Sequence, residues 1–187
     1  NGHLFFRPEQ VRTEPVTIKI PEVDQEICDG CRVCVDFCQY NALAYIGDRL
    51  MIFEEVCHSC GGCVLFCPLK ALWERDKVIG EIRRGNSAEV AVCSGFLNIG
   101  VASGIPIVKG LLRDIPTGTT FIDCPPGSAC IVMESIKDAD YCIFVAEPTL
   151  FGVHNLNMVQ QLVQLFGKPH GAVLNKCLPG ENPSEEF

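Results

Sequence analysis

Two dense cysteine motifs constrain this chain more than any other feature of its sequence. Residues 28–38 read CDGCRVCVDFC and residues 57–67 read CHSCGGCVLFC, so both have the spacing C-x2-C-x2-C-x3-C. The motifs are offset by 29 residues, and the same offset aligns further residues: Val35 with Val64, Phe37 with Phe66, Ala42 with Ala71, and Leu43 with Leu72. Such a repeat predicts two copies of one structural unit related by a pseudo-twofold axis.

The spacing within each motif is typical of ligands to iron–sulfur clusters. Three thiolates separated by two residues can hold three corners of a [4Fe–4S] cluster, and Gly30, Gly61 and Gly62 let the backbone approach it. The fourth cysteine is expected to start a short helix that directs it to the other cluster. The predicted ligands of one cluster are Cys28, Cys31, Cys34 and Cys67, and those of the other are Cys57, Cys60, Cys63 and Cys38.

Two other uses of cysteine are weighed against this interpretation. Zinc sites usually have two separated C-x2-C pairs, whereas here four cysteines fall within eleven residues. A secreted disulfide scaffold would be shorter and poorer in apolar residues than this chain, which has 187 residues, 48% of them hydrophobic, and thirteen cysteines. The spacing therefore favours two clusters.

The cysteine repeat resembles the bacterial two-cluster ferredoxin over about residues 21 to 80. Cys67 is followed by proline as in that pattern, whereas Cys38 is followed by Gln39. The segments LAYIGDRLMIF and LWERDKVIGEI are each predicted to form a pair of short strands, around a Gly-Asp turn and an Arg-Asp turn respectively.

After residue 80 the pattern of the sequence favours a doubly wound α/β layer. PIVKGLLRDI predicts a helix that begins at Pro106, and GVHNLNMVQQLVQLFG predicts a helix with one apolar face that ends before Gly167 and Pro169. TTFID, YCIFVA and GAVLN are predicted to be parallel strands covered on both faces. Asp123 and Asn175 would then end two of these strands, at the edge where such folds bind ligands.

The order of NGHLFF, the cysteine repeat, FLNIG, DCPPGSAC, AEPTLFGVHNL and VLNK resembles MinD/ParA-type P-loop ATPases with an inserted ferredoxin domain. The resemblance implies an incomplete P-loop layer in residues 1–20 and 81–187 and an inserted α+β ferredoxin module in residues 21–80. It also implies that Asp123 serves Mg²⁺ and the attacking water, that Gly127 contacts the γ-phosphate of ATP, and that Asn175 reads adenine.

The chain departs from that family in one respect: it contains no G-x-x-x-x-G-K-[ST] phosphate loop. The family's loop would fall before Asn1, so the chain is expected to be a fragment that does not hydrolyse ATP by itself. The resemblance further implies a homodimer, or a heterodimer with a related ATPase.

Charge and hydropathy exclude some classes of function. A net charge of −8 argues against a nucleic-acid-binding protein, because few cations are present to neutralise phosphates. No apolar run approaches the length of a membrane span, and the N-terminus lacks the pattern of a secretory signal. These features and the cysteine spacing favour a cytoplasmic protein of an anaerobe.

The sequence thus predicts an iron–sulfur protein that couples nucleotide state to electron transfer or cluster handling. A plain ferredoxin-type electron carrier with a docking domain is one alternative, and a cluster scaffold or maturation factor is another. The expected partner is a redox protein or a cluster acceptor. Cys124 and Cys130 flank the DCPPGSAC segment and are interpreted as small apolar residues, although a redox role stays open. His58 is interpreted as a solvated residue, although it could tune a cluster.

Overall fold

The computed structural model describes residues 2–115 and 117–177 and divides the chain into two compact units, with the boundary between Leu111 and Leu112. The two units are described in turn. Positions 1, 116 and 178–187 lie outside the described residues, and no site residue predicted from the sequence falls on them.

A long antiparallel ribbon forms the frame of the first unit. Its strands are β1 (Glu9–Val23) and β4 (Leu72–Ser87), and β4 also pairs with β5 (Val90–Leu97), so the sheet has the order β1-β4-β5. The hairpin predicted at Arg75–Asp76 is wrong, because β4 runs straight through these residues and pairs them with Ile20 and Lys19 of β1. Neither residue has the positive φ that a tight hairpin turn requires.

The cysteine repeat lies at one end of this ribbon. Helix α2 (Val33–Phe37) and helix α3 (Gly62–Leu65) are its two short helices, and β2 (Leu43–Ile46) pairs with β3 (Arg49–Ile52). Gly47 and Asp48 join these strands with φ of 57° and 59°, which confirms the predicted Gly-Asp turn. The fourth cysteine of the first motif does not start a helix: α2 ends before Cys38, whose N–H donates to the Val35 carbonyl.

A β-bulge separates the end of the ribbon that carries the repeat from the three-stranded part of the sheet. Val16 pairs with Gly80 and Thr17 pairs with Val78, which leaves Ile79 without a partner residue. Helix α1 (Gly2–Phe6) precedes the sheet, and α4 (Ile105–Arg113) packs on it through a small core of Ile79, Ile82 and Ile107. The predicted helix at Pro106 is confirmed within one residue.

The second unit contains one parallel strand pair and its crossover helix. Helix α5 (Cys130–Ile136) precedes β6 (Cys142–Ala146), which is followed by α6 (Leu150–Leu165) and β7 (His170–Leu174), and β6 and β7 are parallel. The Thr149 hydroxyl accepts from the Gly152 N–H at 3.0 Å and caps the start of α6. At its end, Gly167 has φ of 62° and the Lys168 N–H donates to the Val163 carbonyl, as in a Schellman motif.

The apolar face predicted for α6 is present, since Leu156, Val159, Val163 and Phe166 all pack into one core. That core also holds Val132 and Ile136 of α5 and Cys142 and Phe144 of β6. The segment that precedes α5 in the second unit does not match its prediction: residues 119–123, expected to be a strand, form no ladder in the described chain.

The expectation of a parallel sheet covered on both faces is also wrong for the described residues. The burial of β6 alternates, so that Ile143 and Val145 are 60% and 67% exposed while Cys142, Phe144 and Ala146 are buried. The physical reason is that α5 and α6 pack against the same core and cover one face of the pair. The fold is therefore mixed α/β, with antiparallel sheets in the first unit and a single parallel pair in the second.

Candidate metal centre

Two open cavities in the first unit are each lined by four cysteines. The first has an empty volume of about 390 Å³, and the second has about 380 Å³, both counted out to the open mouth. The cysteines of the first cavity are Cys28, Cys31, Cys34 and Cys67, and those of the second are Cys38, Cys57, Cys60 and Cys63. Each cavity therefore takes three cysteines from one motif and the fourth from the other.

The loops around the two cavities have the same backbone conformation. Three pairs of positions related by the 29-residue offset all have positive φ: Gly30 and Ser59, Arg32 and Gly61, and Asn41 and Lys70. Four of these six residues are not glycine, so the left-handed conformation is maintained at some cost in backbone energy. The repeat in sequence is thus a repeat in structure.

The third cysteine of each motif is the most buried. Cys34 and Cys63 lie in the core that also contains Ala42, Leu43 and Leu72. Burial raises the pKa of the Cys34 thiol and raises that of Cys63 to about 11. Because metal ligands must be deprotonated, a metal held by these two thiols would displace their protons, and its affinity would depend on pH.

The fourth cysteine of each motif accepts a backbone hydrogen bond. The Ala42 N–H lies 3.3 Å from Cys38 Sγ, and the Ala71 N–H lies 3.3 Å from Cys67 Sγ. Hydrogen bonds to cluster thiolates are one of the ways in which proteins set cluster potential. The donor set therefore fits an iron–sulfur cluster in each cavity. Within the described residues, no group of three or more His, Cys, Asp or Glu is arranged to hold a single metal ion.

Side chains outside the cysteine motifs make the two cavities unequal. Tyr45 lines the first cavity and Glu74, its equivalent at the 29-residue offset, lines the second. The second is also lined by Tyr40 and His58, whose rings stack at a centroid distance of 3.7 Å and an angle of 9°. His58 is exposed, which agrees with its interpretation from the sequence as a solvated residue. Sequence reasoning missed Tyr45, Glu74 and Tyr40, because none of them stands in a cysteine motif.

A polar residue anchors the segment before each motif. The Gln25 side chain accepts from the Leu50 N–H at 3.2 Å and donates to the Leu50 carbonyl at 2.8 Å. At the equivalent position, Glu54 accepts from Lys77 Nζ at 3.0 Å and from the Arg75 guanidinium. These cations, Lys77 first, hold the pKa of the Glu54 carboxyl below its ordinary value of 4.5.

The residues predicted to bind nucleotide lie in the second unit. Asp123 and Gly127 fall in the irregular segment before α5, whereas Asn175 directly follows β7 and its N–H donates to the Ala146 carbonyl at 2.8 Å. Lys176 pairs with Glu147, so the ends of β6 and β7 meet at one edge. Asp123 does not end a strand, which corrects its predicted setting. Cys124 packs partly buried against the core of this unit, and burial raises its pKa, while Cys130 is exposed.

Comparison with known proteins identifies the class of the cysteine-lined site in the first unit. Residues 20–68, which contain all eight motif cysteines, match a family described as "4Fe-4S dicluster domain". The chain therefore contains a ferredoxin-type iron–sulfur domain, and the match supports the binding of [4Fe–4S] clusters.

One relative extends the comparison beyond that domain. An uncharacterized protein of Methanocaldococcus jannaschii is 27% identical over 144 residues, which are 74% of this chain and 52% of the relative. The chain thus spans about half the length of this curated relative. Neither match describes a nucleotide-binding domain, so the resemblance to MinD/ParA ATPases stays a proposal. In the described residues, no helix is long and apolar enough to cross a membrane.

Proposed function

We propose that this chain is an electron carrier with two [4Fe–4S] clusters. In this proposal cluster 1 is held by Cys28, Cys31, Cys34 and Cys67, and cluster 2 by Cys38, Cys57, Cys60 and Cys63. The observation that carries the proposal is the lining of the two cavities, each of which brings together three cysteines of one motif and the fourth of the other.

A bound cluster supplies a centre that gains or loses one electron. The protein supplies the thiolates that bind it and an apolar core that separates it from water on one side. The N–H groups of Ala42 and Ala71 donate to Cys38 Sγ and Cys67 Sγ and stabilise the negative charge on these thiolates. Cys31 and Cys60 are exposed, which leaves each cavity with a route to a partner protein.

The proposal is tested by anaerobic reconstitution of the chain with iron and sulfide. Two clusters require about eight iron and eight sulfide ions per chain. Reduction should then give the electron paramagnetic resonance of reduced [4Fe–4S] clusters, and a Cys93→Ser variant outside the motifs should bind the same amount of iron. Zinc bound without sulfide would refute the proposal.

Exposure of Cys31 and Cys60 also favours a second use, in which the clusters are cargo for an acceptor protein. The two uses differ in what leaves the protein. A carrier exchanges electrons with a redox partner and keeps its iron, whereas a scaffold loses its clusters to an apo-acceptor. Transfer of iron and sulfide to an apo-ferredoxin, measured after the two proteins are separated, distinguishes these outcomes.

We propose further that the ferredoxin module, residues 21–80, is inserted in a MinD/ParA-type ATPase formed by residues 1–20 and 81–187. The parallel pair of β6 and β7, joined by α6, supports this, as does the position of Asn175 at the carboxyl edge of β7. Asp123 would then serve Mg²⁺, Gly127 the γ-phosphate and Asn175 the adenine. The phosphate loop would lie outside these 187 residues.

This part of the proposal concerns the longer protein, which would be a cytoplasmic dimer that delivers electrons or clusters to a partner. Phosphate affinity in such proteins comes mainly from the loop amides and their lysine. The 187-residue chain should therefore bind ATP weakly and the longer protein tightly, as measured by calorimetry, with Asp123→Ala losing hydrolysis more than binding. Micromolar binding of ATP by the 187-residue chain would contradict it.

A further inference from the structure

The two cavities differ in charge at one pair of equivalent positions. A Cβ atom added to Gly30 would lie 2.6 Å from Tyr45 Cζ, and one added to Gly61 would lie 3.0 Å from Glu74 Oε1. A neutral phenol ring therefore lies against the cysteine loop of the first copy, and a carboxylate lies against the loop of the second. Both side chains line the cavity of their own copy.

The other charged groups that line the cavities do not offset this difference. Asp29 and Arg32, which line the first cavity, have opposite charges. Lys19 lines the second cavity, but its Nζ lies 3.1 Å from both carboxylate oxygens of Asp76. Among the described residues, no cation forms a salt bridge with Glu74. His58, which also lines the second cavity, stacks on Tyr40.

We propose that Glu74 makes cluster 2 the more strongly reducing of the two clusters, an inference that rests on the cluster ligands proposed above. Reduction adds one negative charge to a cluster, and a fixed carboxylate nearby raises the energy of the reduced form. Tyr45 imposes no such cost on cluster 1. When one electron is shared between the two clusters, cluster 2 is oxidised and cluster 1 is reduced, and no proton or further reactant is needed.

Exposure of Glu74 to water limits the size of this effect. Charges near a protein surface interact through a high effective dielectric constant, so the interaction is weaker than in a buried site. We expect Glu74 to change the equilibrium ratio of the two singly reduced forms by about three- to tenfold. For a one-electron couple this corresponds to about 30 to 60 mV.

The experiment is a redox titration of the reconstituted chain and its Glu74→Gln variant under anaerobic conditions. Electron paramagnetic resonance follows each cluster, and the Cys38→Ser and Cys67→Ser variants assign the signals. We expect the midpoint of cluster 2 to rise in Glu74→Gln by the shift given above and that of cluster 1 to stay unchanged. Glu74→Asp, which keeps the charge, should retain the original ratio.

A matched control removes a carboxylate from the same ribbon away from the cavities. Glu14 of β1 is exposed, pairs with Ile82 and lines neither cavity, so Glu14→Gln should move neither midpoint. An unchanged cluster 2 in Glu74→Gln, equal shifts of both clusters, or a higher midpoint for cluster 2 in the original protein would each overturn the inference. A chain that binds no iron and sulfide would refute the proposed function instead.

Discussion

Three residues before its first cysteine, one copy of the repeat has Gln25 and the other has Glu54. Gln25 binds the backbone of Leu50 through two neutral hydrogen bonds, whereas Glu54 binds the side chains of Lys77 and Arg75. The backbone around the cysteines is nonetheless the same in both copies, down to the left-handed residues. The comparison teaches that one loop conformation around the cysteines is compatible with two different kinds of supporting contact.

The largest expected effect comes from replacing the fourth cysteine of either motif by serine. Cys38→Ser should disturb cluster 2 and Cys67→Ser should disturb cluster 1, because each of these cysteines lines the cavity of the other copy. Up to half of the bound iron should be lost in either variant. Iron analysis and electron paramagnetic resonance measure this, and a disturbed cluster 1 in Cys38→Ser would show that each motif holds its own cluster.

The equivalent pair Gly30 and Ser59 tests how far the two loops share a strained backbone. Gly30→Ala should destabilise the protein by about 1–2 kcal/mol, because φ is 72° and the new methyl group would meet the Tyr45 ring. Ser59 already carries a Cβ atom at φ of 55°, so Ser59→Ala is the matched control and should cost less than about 0.5 kcal/mol. Anaerobic urea unfolding of the reconstituted variants measures both, and equal losses would contradict the account.

The pair Gln25 and Glu54 should differ in its dependence on pH. Since the pKa of Glu54 is lowered in the folded chain, its ion pairs stabilise the fold above about pH 4.5, and this contribution is lost as pH falls through the folded pKa. Glu54→Gln should therefore lower the free energy of unfolding near neutral pH, and by progressively less below pH 4.5. Because the carboxylate is partly exposed, the loss at neutral pH should be only about 1 kcal/mol.

The matched variant for this comparison is Gln25→Ala, whose cost should not vary with pH, because an amide does not titrate. Urea unfolding between pH 3.5 and 7 checks both variants. A loss in Glu54→Gln that stays constant over this range would mean that the carboxylate stabilises the fold only through its shape.

The smallest effect is expected from the aromatic pair beside the second cavity. Tyr40→Leu introduces the residue type that stands at the equivalent position, Leu69, and removes the stacking on His58. Both rings are exposed, so the loss of stability should be about 0.5 kcal/mol. A double-mutant cycle with His58→Ala isolates the stacking energy, and a coupling of zero would mean that the rings only lie near each other.

Local patterns in the sequence predicted the local parts of this structure. The Gly-Asp turn and helix α6 with its apolar face both depend on residues close together in the chain. The predicted turn at Arg75–Asp76 failed because β4 continues through pairing with β1, more than fifty residues earlier in the sequence. Residues 119–123 have a composition suited to a strand, but strand formation also needs a neighbouring edge, which sequence propensity does not supply.

The sequence likewise predicted only part of the candidate site. Spacing alone pointed to the eight cysteines and to their grouping, because that spacing reflects the chemistry of the cluster. Glu74 and Tyr45 were missed since neither stands in a motif, and their place beside the cavities follows from the register of β4 and the packing of β2. The predicted nucleotide residues rest on resemblance, and only Asn175 directly follows a strand of the described structure.

The pairing of β1 with β4 also determines how the repeat could be moved between proteins. The chain enters the repeat along one strand and leaves along its neighbour, with Val16 directly opposite Gly80. A two-residue turn could therefore join these positions and leave the three-stranded sheet with an ordinary hairpin, because the ends are already adjacent. By the same geometry, the excised segment could be joined to any exposed hairpin of another protein. The ribbon would then carry the repeat with it as one unit.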